Sequence, residues 1–502
     1  MHNTPDTPQM LASVDLGSNS FRLQICQNHG GQLQAVDSIK EMVRFAAGLD
    51  EQKNLDEASQ QRALSCLSKF GERLRGFAPE QVRAVATNTF RVAKNIGAFI
   101  PKAEAALGFP IEVIAGREEA RLIYTGVIHT LPPNGDRMLV VDIGGGSTEF
   151  VIGSEAQPAL TESLPLGCVT YTMRFFKNKS GEKEFQTAIT AARAEIQRIA
   201  QTYKRTGWDF AVGTSGSAKS IRDVLAAAAG NTAETITHAG MKNLIRRIAA
   251  AGSVRKAKLE GLKPERIEVF AGGLAVMAAV FEELGVQTMN VTDAALRDGV
   301  FYDLIGRSLN EDMREQTVAL FQKRYHVSQS QAERVARTAA ILLESLSQNT
   351  SVQELTHWRQ YLRWAAKLHE IGIDIAYTAY HKHTAYILDQ ADMPGFSRKE
   401  QQILSALALG QRGDLRKVAD TIAASPMMAH ALFALRLAVL LHRARLPLTL
   451  PQFTQLRSPD AKTYILRISG KWLADNPLTA GTLAEESQQW AKAGIRFDIQ
   501  AV

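Results

Sequence analysis

Val140-Val141-Asp142-Ile143-Gly144-Gly145-Gly146-Ser147-Thr148-Glu149 is the stretch from which the fold is read. An apolar strand ends in a carboxylate, three glycines and two hydroxyls follow, and Phe150-Val151-Ile152 reads as a second strand leading away. Three consecutive glycines lack Cβ atoms and tolerate positive φ, so their amides can converge on an anion. Gly144, Gly145, Gly146, Ser147 and Thr148 are therefore candidate phosphate ligands. Asp142 and Glu149 flank the loop, and carboxylates beside bound phosphate make sense with a divalent cation such as Mg²⁺ between them. The competing reading is a tight hairpin with an exposed acid at each end.

Two features outside the loop argue against the bare hairpin. Val14-Asp15-Leu16-Gly17-Ser18-Asn19-Ser20-Phe21 repeats the apolar–Asp–apolar–Gly–polar pattern. One short glycine motif is weak, but two spaced a domain apart imply two related lobes that each offer a loop to a shared cleft. Gly17, Ser18, Asn19 and Ser20 join the phosphate-binding candidates on that ground. Between the copies lies Gly116-Arg117-Glu118-Glu119-Ala120-Arg121-Leu122-Ile123-Tyr124, with a strand running in and a helix running out. Adjacent helical residues point about 100° apart, so Glu118 and Glu119 cannot both face one site. One is a candidate base, and the other a surface or helix-N-terminal charge.

Two further turns follow strands. A strand at 82–86 leads into Thr87-Asn88-Thr89-Phe90-Arg91, the position at which open α/β sheets bind ligands, and the planar fork of Arg91 suits a phosphate. Val212-Gly213-Thr214-Ser215-Gly216-Ser217-Ala218-Lys219-Ser220 nearly makes a nucleotide P-loop, but Ala218 stands where the second glycine is needed. It reads as a third anion-facing turn, with Gly213, Ser215 and Gly216 as its candidates. Arg297 is a substrate or a structural contact, with the two readings evenly weighted.

The net charge of +7 points to an anionic partner, although charge alone does not separate nucleic acid, membrane and polyphosphate. Three widely spaced cysteines suggest a reducing compartment with neither a disulfide framework nor a zinc cluster. The first ten residues lack the pattern of a signal peptide, and no apolar run is long enough to span a bilayer. A cytoplasmic protein with no membrane insertion and no specific nucleic-acid contact is expected.

Strand signals fade from about 311, and helical periods dominate to 450. His369, Glu370, His381 and His383 cluster there but lack an upstream histidine, so satisfied core histidines are expected rather than a metal site. Arg412, Arg416, Lys417, Arg436, Arg443 and Arg445 make the region basic, either as a solvated face or as a guide for a long polyanion. The remainder reads strand–helix–strand and is too small to stand alone.

Taken in order, the runs 14–21, 87–91, 116–123, 141–149 and 213–217 resemble the exopolyphosphatase / guanosine pentaphosphate phosphohydrolase family over essentially the whole chain. The resemblance implies an α/β fold of two ribonuclease-H-like lobes of the actin and acetate-kinase superfamily at 1–125 and 126–310. An all-α HD-like domain at 311–450 and a small α+β domain at 451–502 complete it. It also implies Mg²⁺-dependent release of orthophosphate from a chain end, with a monovalent cation such as K⁺ as a further expected ligand and a homodimer as the expected assembly. Glu119 matches the family's general base, Arg91 a substrate-binding arginine, and Asp142 and Glu149 the metal-associated acids. His369 is followed by Glu370 where an HD motif would have Asp, which argues against a second metal centre. Gly146 favours the exopolyphosphatase branch, and inorganic polyphosphate is the expected substrate. A guanosine pentaphosphate 5′-phosphohydrolase, or both activities in one site, is the alternative. A sugar or acetate kinase and a non-catalytic polyphosphate sensor are more distant rivals.

Overall fold

The computed structural model describes residues 9–29, 32–131, 135–154, 158–230, 235–308, 312–348, 350–446, 455–460 and 462–502. It divides into two compact units, Met1–Asp312 and Met313–Val502. The boundaries read from sequence at 310/311 and 450/451 fall outside the described residues.

The first unit is built on two sheets. One contains β1 (Gln9–Leu16), β2 (Phe21–His29), β3 (Gln32–Glu41), β4 (Val82–Ala86) and β5 (Ile111–Val113), in the order β3-β2-β1-β4-β5. The other contains β6 (Met138–Ile143), β7 (Thr148–Gly153), β8 (Leu160–Leu164), β9 (Phe210–Thr214), β10 (Ile236–Thr237) and β11 (Thr288–Val291), in the order β10-β11-β9-β6-β7-β8. Setting aside the short edge strand β10, the second order is the first again, with β8-β7-β6-β9-β11 matching β3-β2-β1-β4-β5. The repeat extends to strand sense: three antiparallel strands, then two parallel ones reached through helical crossovers. The sequence echo is thus a repeat of topology, and Asp15 and Asp142 occupy equivalent positions near the ends of β1 and β6.

Each loop rests on a packed core. Behind the first, Phe21, Phe45, Phe90 and Phe99 form a buried aromatic group, with Phe45 and Phe90 ring centroids 5.1 Å apart. Rings in such tilted contact bury large apolar area and fix one another's angle. Behind the second, Val141, Ile143 and Phe150 pack against the helices Glu182–Thr206 and Ile267–Leu284. The latter helix is apolar nearly all round and is buried along almost its whole length, as that pattern requires.

The helices Gly116–Ile128 and Leu296–Ser308 cross in close contact. A Cβ on Gly299 would lie 1.7 Å from the Leu122 carbonyl oxygen, and one on Gly126 would lie 2.7 Å from that of Ala295. A buried ion network ties the same helices to β4 and β5. Asp303 accepts from Arg83 at 2.7 Å, from Arg307 at 3.1 Å and from Arg121, while Arg121 also pairs with Glu118 at 2.8 Å. Burial alone would raise the Asp303 pKa, but Arg83, Arg121 and Arg307 together hold it far below the usual carboxylate range.

The second unit is helical from Met313–Arg324 to Pro426–Leu441 and ends in a sheet of β12 (Gln455–Arg457), β13 (Thr463–Ile468) and β14 (Arg496–Ala501), in the order β12-β13-β14. That sheet shares the helices' core: Phe433 stacks on Tyr464 with centroids 4.0 Å apart, and Trp490 and Phe497 close around the pair. Among the described residues, no helix is long and apolar enough to cross a membrane.

Candidate active site

The two hairpin loops meet face to face. A Cβ on Gly145 would lie 2.9 Å from Ser18 Cβ, and one on Gly146 only 2.4 Å from Asn88 Oδ1. None of Gly17, Gly144, Gly145 or Gly146 adopts positive φ. The expected reason for the glycines is therefore corrected: they permit close approach between the loops, not left-handed backbone.

The loops are anchored through their carbonyls. Ser18 O and Asn19 O accept from the amides of Ala46 and Arg44, and Gly144 O and Gly145 O accept from those of Cys168 and Val169. Among the described residues, the amides of Ser18, Asn19, Gly145 and Gly146 have no acceptor within the chain. Amides left open beside a neighbouring loop are what an anion-binding nest supplies. The Thr89 hydroxyl donates to Ser18 Oγ at 2.8 Å. Thr148, by contrast, donates its hydroxyl to the Leu166 carbonyl.

Carboxylates gather beside the loops. Asp142 and Glu149 are direct cross-strand partners on β6 and β7, a like-charge pairing that costs stability unless something positive lies against it. The Ser215 hydroxyl donates to Asp142 Oδ2 at 2.6 Å, and the Ser163 hydroxyl to Glu149 Oε1 at 2.8 Å. Ser215 holds its position in left-handed backbone, at φ 63, a conformation non-glycine residues adopt at a cost. Burial, opposed by the Ser215 hydrogen bond and reinforced by Glu119, pushes Asp142 up to about 7. Burial, then Glu119 and Asp142, pushes Asp15 up to about 7 as well. Glu149 is raised well above the usual range by burial and the same two neighbours. Asp15, Glu119, Asp142 and Glu149 therefore act on one another as one acidic cluster.

Glu119 lies in the first turn of the Gly116–Ile128 helix and is 7% exposed. Arg91 Nη1 donates to its Oε2 at 2.7 Å and to the Ile114 carbonyl at 3.0 Å. Glu118 is equally buried, but it faces Arg121 in the ion network. Of the two places expected for the non-catalytic Glu, the helix N-terminal turn is where Glu118 stands, and the surface is corrected to a buried ion network.

The 213–217 turn plays a mixed part. Gly213 sits within β9, where a Cβ would lie 2.8 Å from that of Ala218 and 2.9 Å from Met289 Sδ. Gly216 lies against Arg266, whose Nη2 donates to Ser217 Oγ at 3.1 Å. Arg297 bonds Gln24 at 2.9 Å and the Asp293 carbonyl at 2.9 Å, both protein contacts.

Several residues here escaped the sequence reading. Asp15 was legible as the counterpart of Asp142 in the repeat. Arg22 stands opposite Asp15 on β2 and opposite Lys40 on β3. Partial burial and the nearby Arg266 and Arg22 charges lower the Lys40 pKa. The Nε atoms of Arg22 and Arg266 are buried without a hydrogen-bond partner. Nothing in the local pattern around Lys40 or Arg266 marks them, because the sheet register and a distant turn bring them together.

The basic run of the second unit is only partly a solvated face. Arg436 is buried and bonded to Glu486, Arg416 pairs with Asp414, and Arg445 pairs with Glu370. His369 is buried with its Nδ1 2.6 Å from the Ala366 carbonyl. Among the described residues, no group of three or more His, Cys, Asp or Glu side chains is disposed to hold a metal.

Comparison with known proteins decides the family. The Ppx/GppA phosphatase family profile matches residues 24–308, and its domain III profile matches 313–487. The chain belongs to the Ppx/GppA phosphatase family. It is 40% identical over 493 residues to a guanosine-5'-triphosphate,3'-diphosphate pyrophosphatase of Pseudoalteromonas translucida, covering 98% of each chain. It is 39% identical over 498 residues to the protein of the same name from Vibrio atlanticus, covering 99% of each. Among solved structures, an Aquifex aeolicus Ppx/GppA member aligns with TM-score 0.50 at 27% identity, covering 61% of this chain and 99% of that one. A Cytophaga hutchinsonii exopolyphosphatase aligns with TM-score 0.53 at 22% identity, over 59% and 98%, and shares the fold. The actin-like lobes implied by the resemblance are those of the Ppx/GppA fold, and the chain is a phosphatase of that family.

The family is shown without its substrate: the two full-length relatives above are named guanosine-5'-triphosphate,3'-diphosphate pyrophosphatases, and the Cytophaga hutchinsonii neighbour is an exopolyphosphatase. At position 146 a Cβ would meet the Asn88 side-chain oxygen, so this glycine answers to packing between the loops.

Proposed function

We propose that this phosphatase hydrolyses the terminal 5′-phosphoanhydride bond of guanosine pentaphosphate, releasing orthophosphate and guanosine tetraphosphate. The observation carrying the reaction class is the acidic cluster gathered beside two loops with open amides. The substrate rests on the relatives' names and on a family resemblance that spans the whole chain.

The terminal phosphoryl group lies against the amides of Ser18, Asn19, Gly145 and Gly146. Glu119, oriented by Arg91, accepts a proton from water as the water oxygen bonds to phosphorus and the bridging P–O bond breaks. Phosphoryl transfer needs positioning and charge neutralisation more than covalent help, and direct attack by water meets that need. Asp142 and Glu149 fit a Mg²⁺ ion, because among the described residues these two buried acids in cross-strand register have no salt-bridge partner. When bound, that ion neutralises charge on the phosphate oxygens. Arg22, Lys40 and Arg266 supply positive charge for phosphates beyond the terminal one.

Those cations would also suit inorganic polyphosphate, which is the second reading. Phosphate release from guanosine pentaphosphate and from long polyphosphate, measured side by side at matched enzyme, separates the two. A higher kcat/KM for the nucleotide is expected, and a preference for polyphosphate would restore the exopolyphosphatase assignment.

A further inference from the structure

A second anion-binding candidate lies wholly inside the helical unit, beside His369. Gln411 Nε2 donates to the His369 carbonyl at 2.8 Å, which fixes the start of the turn that follows. Within that turn Gly413 has φ +76, so the position takes a side chain only with strain. The space above its α-carbon is bracketed by two nitrogens: a Cβ there would lie 3.7 Å from Lys417 Nζ and 3.9 Å from His381 Nε2. Lys417 is held in place by donating to the Arg412 carbonyl at 2.6 Å. The Arg412 guanidinium lies over the Tyr380 ring, 5.6 Å from its centroid.

Two features of this notch need an explanation. His381 is only 8% exposed, yet among the described residues neither ring nitrogen has a hydrogen-bond partner, and its Nδ1 is fully buried. Buried polar groups are ordinarily satisfied, and the Nε2 of this imidazole faces the α-carbon of Gly413 with no hydrogen-bond partner among the described residues. Charge is also unbalanced. Arg416 is neutralised by Asp414 and Arg436 by Glu486, but among the described residues Lys382, Arg412 and Lys417 have no carboxylate partner. The pKa values agree with that crowding. Burial, then Lys417, Arg412 and Lys382, holds His381 down to about 4, and burial, then Arg436 and Lys382, holds Lys417 down to about 8.

We infer that the notch above Gly413, bordered by His381 and Lys417 and adjoined in the chain by Arg412 and Lys382, binds a phosphoryl group. Three unbalanced cations call for a ligand with more than one negative charge, which a phosphate dianion supplies and a single carboxylate does not. The group can be free orthophosphate or the end of a nucleotide or polyphosphate chain, since the notch reads only the tetrahedral anion. Its residues all belong to Met313–Val502, whereas the acids and loops belong to Met1–Asp312.

Competitive amine labelling of the full-length protein tests this. With chelator present to stop turnover, an amine-acylating reagent is applied near neutral pH, where the depressed Lys417 amine reacts readily. Modification of Lys417 and of the exposed reference Lys177 is read by mass spectrometry. Lys417 should lose most of its labelling at saturating orthophosphate, guanosine tetraphosphate or polyphosphate, with Lys177 unchanged. Protection by orthophosphate alone assigns free phosphate. Protection by the nucleotide or polymer at much lower concentration assigns an attached phosphoryl group. Arg412→Met should raise the half-protecting concentration about tenfold, the effect of losing one charge-assisted contact. His381→Gln, which leaves every cation in place, should weaken protection as well. Failure of all three ligands to protect, protection matched by sodium chloride at equal ionic strength, or undiminished protection in both variants would overturn the site. Phosphate release by the unlabelled enzyme is assayed separately, so loss of this inference leaves the assignment of the first unit standing.

Discussion

Glu118 and Glu119 are sequence neighbours with opposite duties, and substitution should separate them. Glu119→Gln removes a base but keeps the shape, so turnover should fall by roughly 10² or more while nucleotide binding persists. Glu118→Gln leaves Arg121 short of a partner in a buried network and should cost roughly 3–5 kcal/mol, read as a lower melting temperature. A dead but fully stable Glu118→Gln enzyme would reverse the two roles. The acids make a second prediction. Asp15 and Asp142, at about 7 in the fold, keep protons that the unfolded chain releases near pH ~4. The stability this contributes is complete below the unfolded value and is lost as pH rises through about 7. Mg²⁺ competes with those protons, so its thermal stabilisation should be small at about pH 5 and larger at about pH 8. A Mg²⁺-induced melting shift that ignores pH would remove the metal from this cluster.

At the scale of elements, the crossing of Gly116–Ile128 with Leu296–Ser308 carries the sharpest steric demand. Gly299→Ala drives a methyl into the Leu122 backbone, and overpacking of that kind costs about 1–3 kcal/mol even against softer neighbours. A melting temperature several degrees lower is expected, and an unchanged one would show that the helices part easily. This crossing also marks where the sequence stopped being legible. The strand–Asp–glycine hairpins could be read locally, because apolar runs, a turn and a carboxylate all lie within ten residues. The repeat then located two lobes, and with them Asp15, although the reading left Asp15 itself out of the site. Contacts made across long separations left no local mark. Asp303 meets Arg83 from 220 residues away, and Arg266 meets Ser217 through a turn with no motif of its own. The partner of Glu118 stayed hidden for a related reason, since helical geometry says that two neighbours diverge but not what each one meets.

On the scale of the whole molecule, every group assigned to hydrolysis lies in Met1–Asp312. The solved Aquifex aeolicus relative aligns over 99% of its own length to only 61% of this chain, so a shorter chain of this family folds. A fragment ending at Asp312 should therefore fold and release phosphate from guanosine pentaphosphate, as judged by circular dichroism and by turnover. A folded but inactive fragment would mean that the helical unit contributes to the reaction itself. The matching strand orders of the two sheets carry one more consequence. A chain folded from two like halves could have kept a twofold-symmetric site, indifferent to the direction in which a linear substrate enters. The halves differ at the position beside the repeated aspartate: β7 sets Glu149 opposite Asp142, whereas β2 sets Arg22 opposite Asp15. One half therefore sets acid against acid, and the other sets acid against a cation. Under the proposed function, that difference gives the cleft a polarity and sets a phosphate chain with its cleaved end beside the acids.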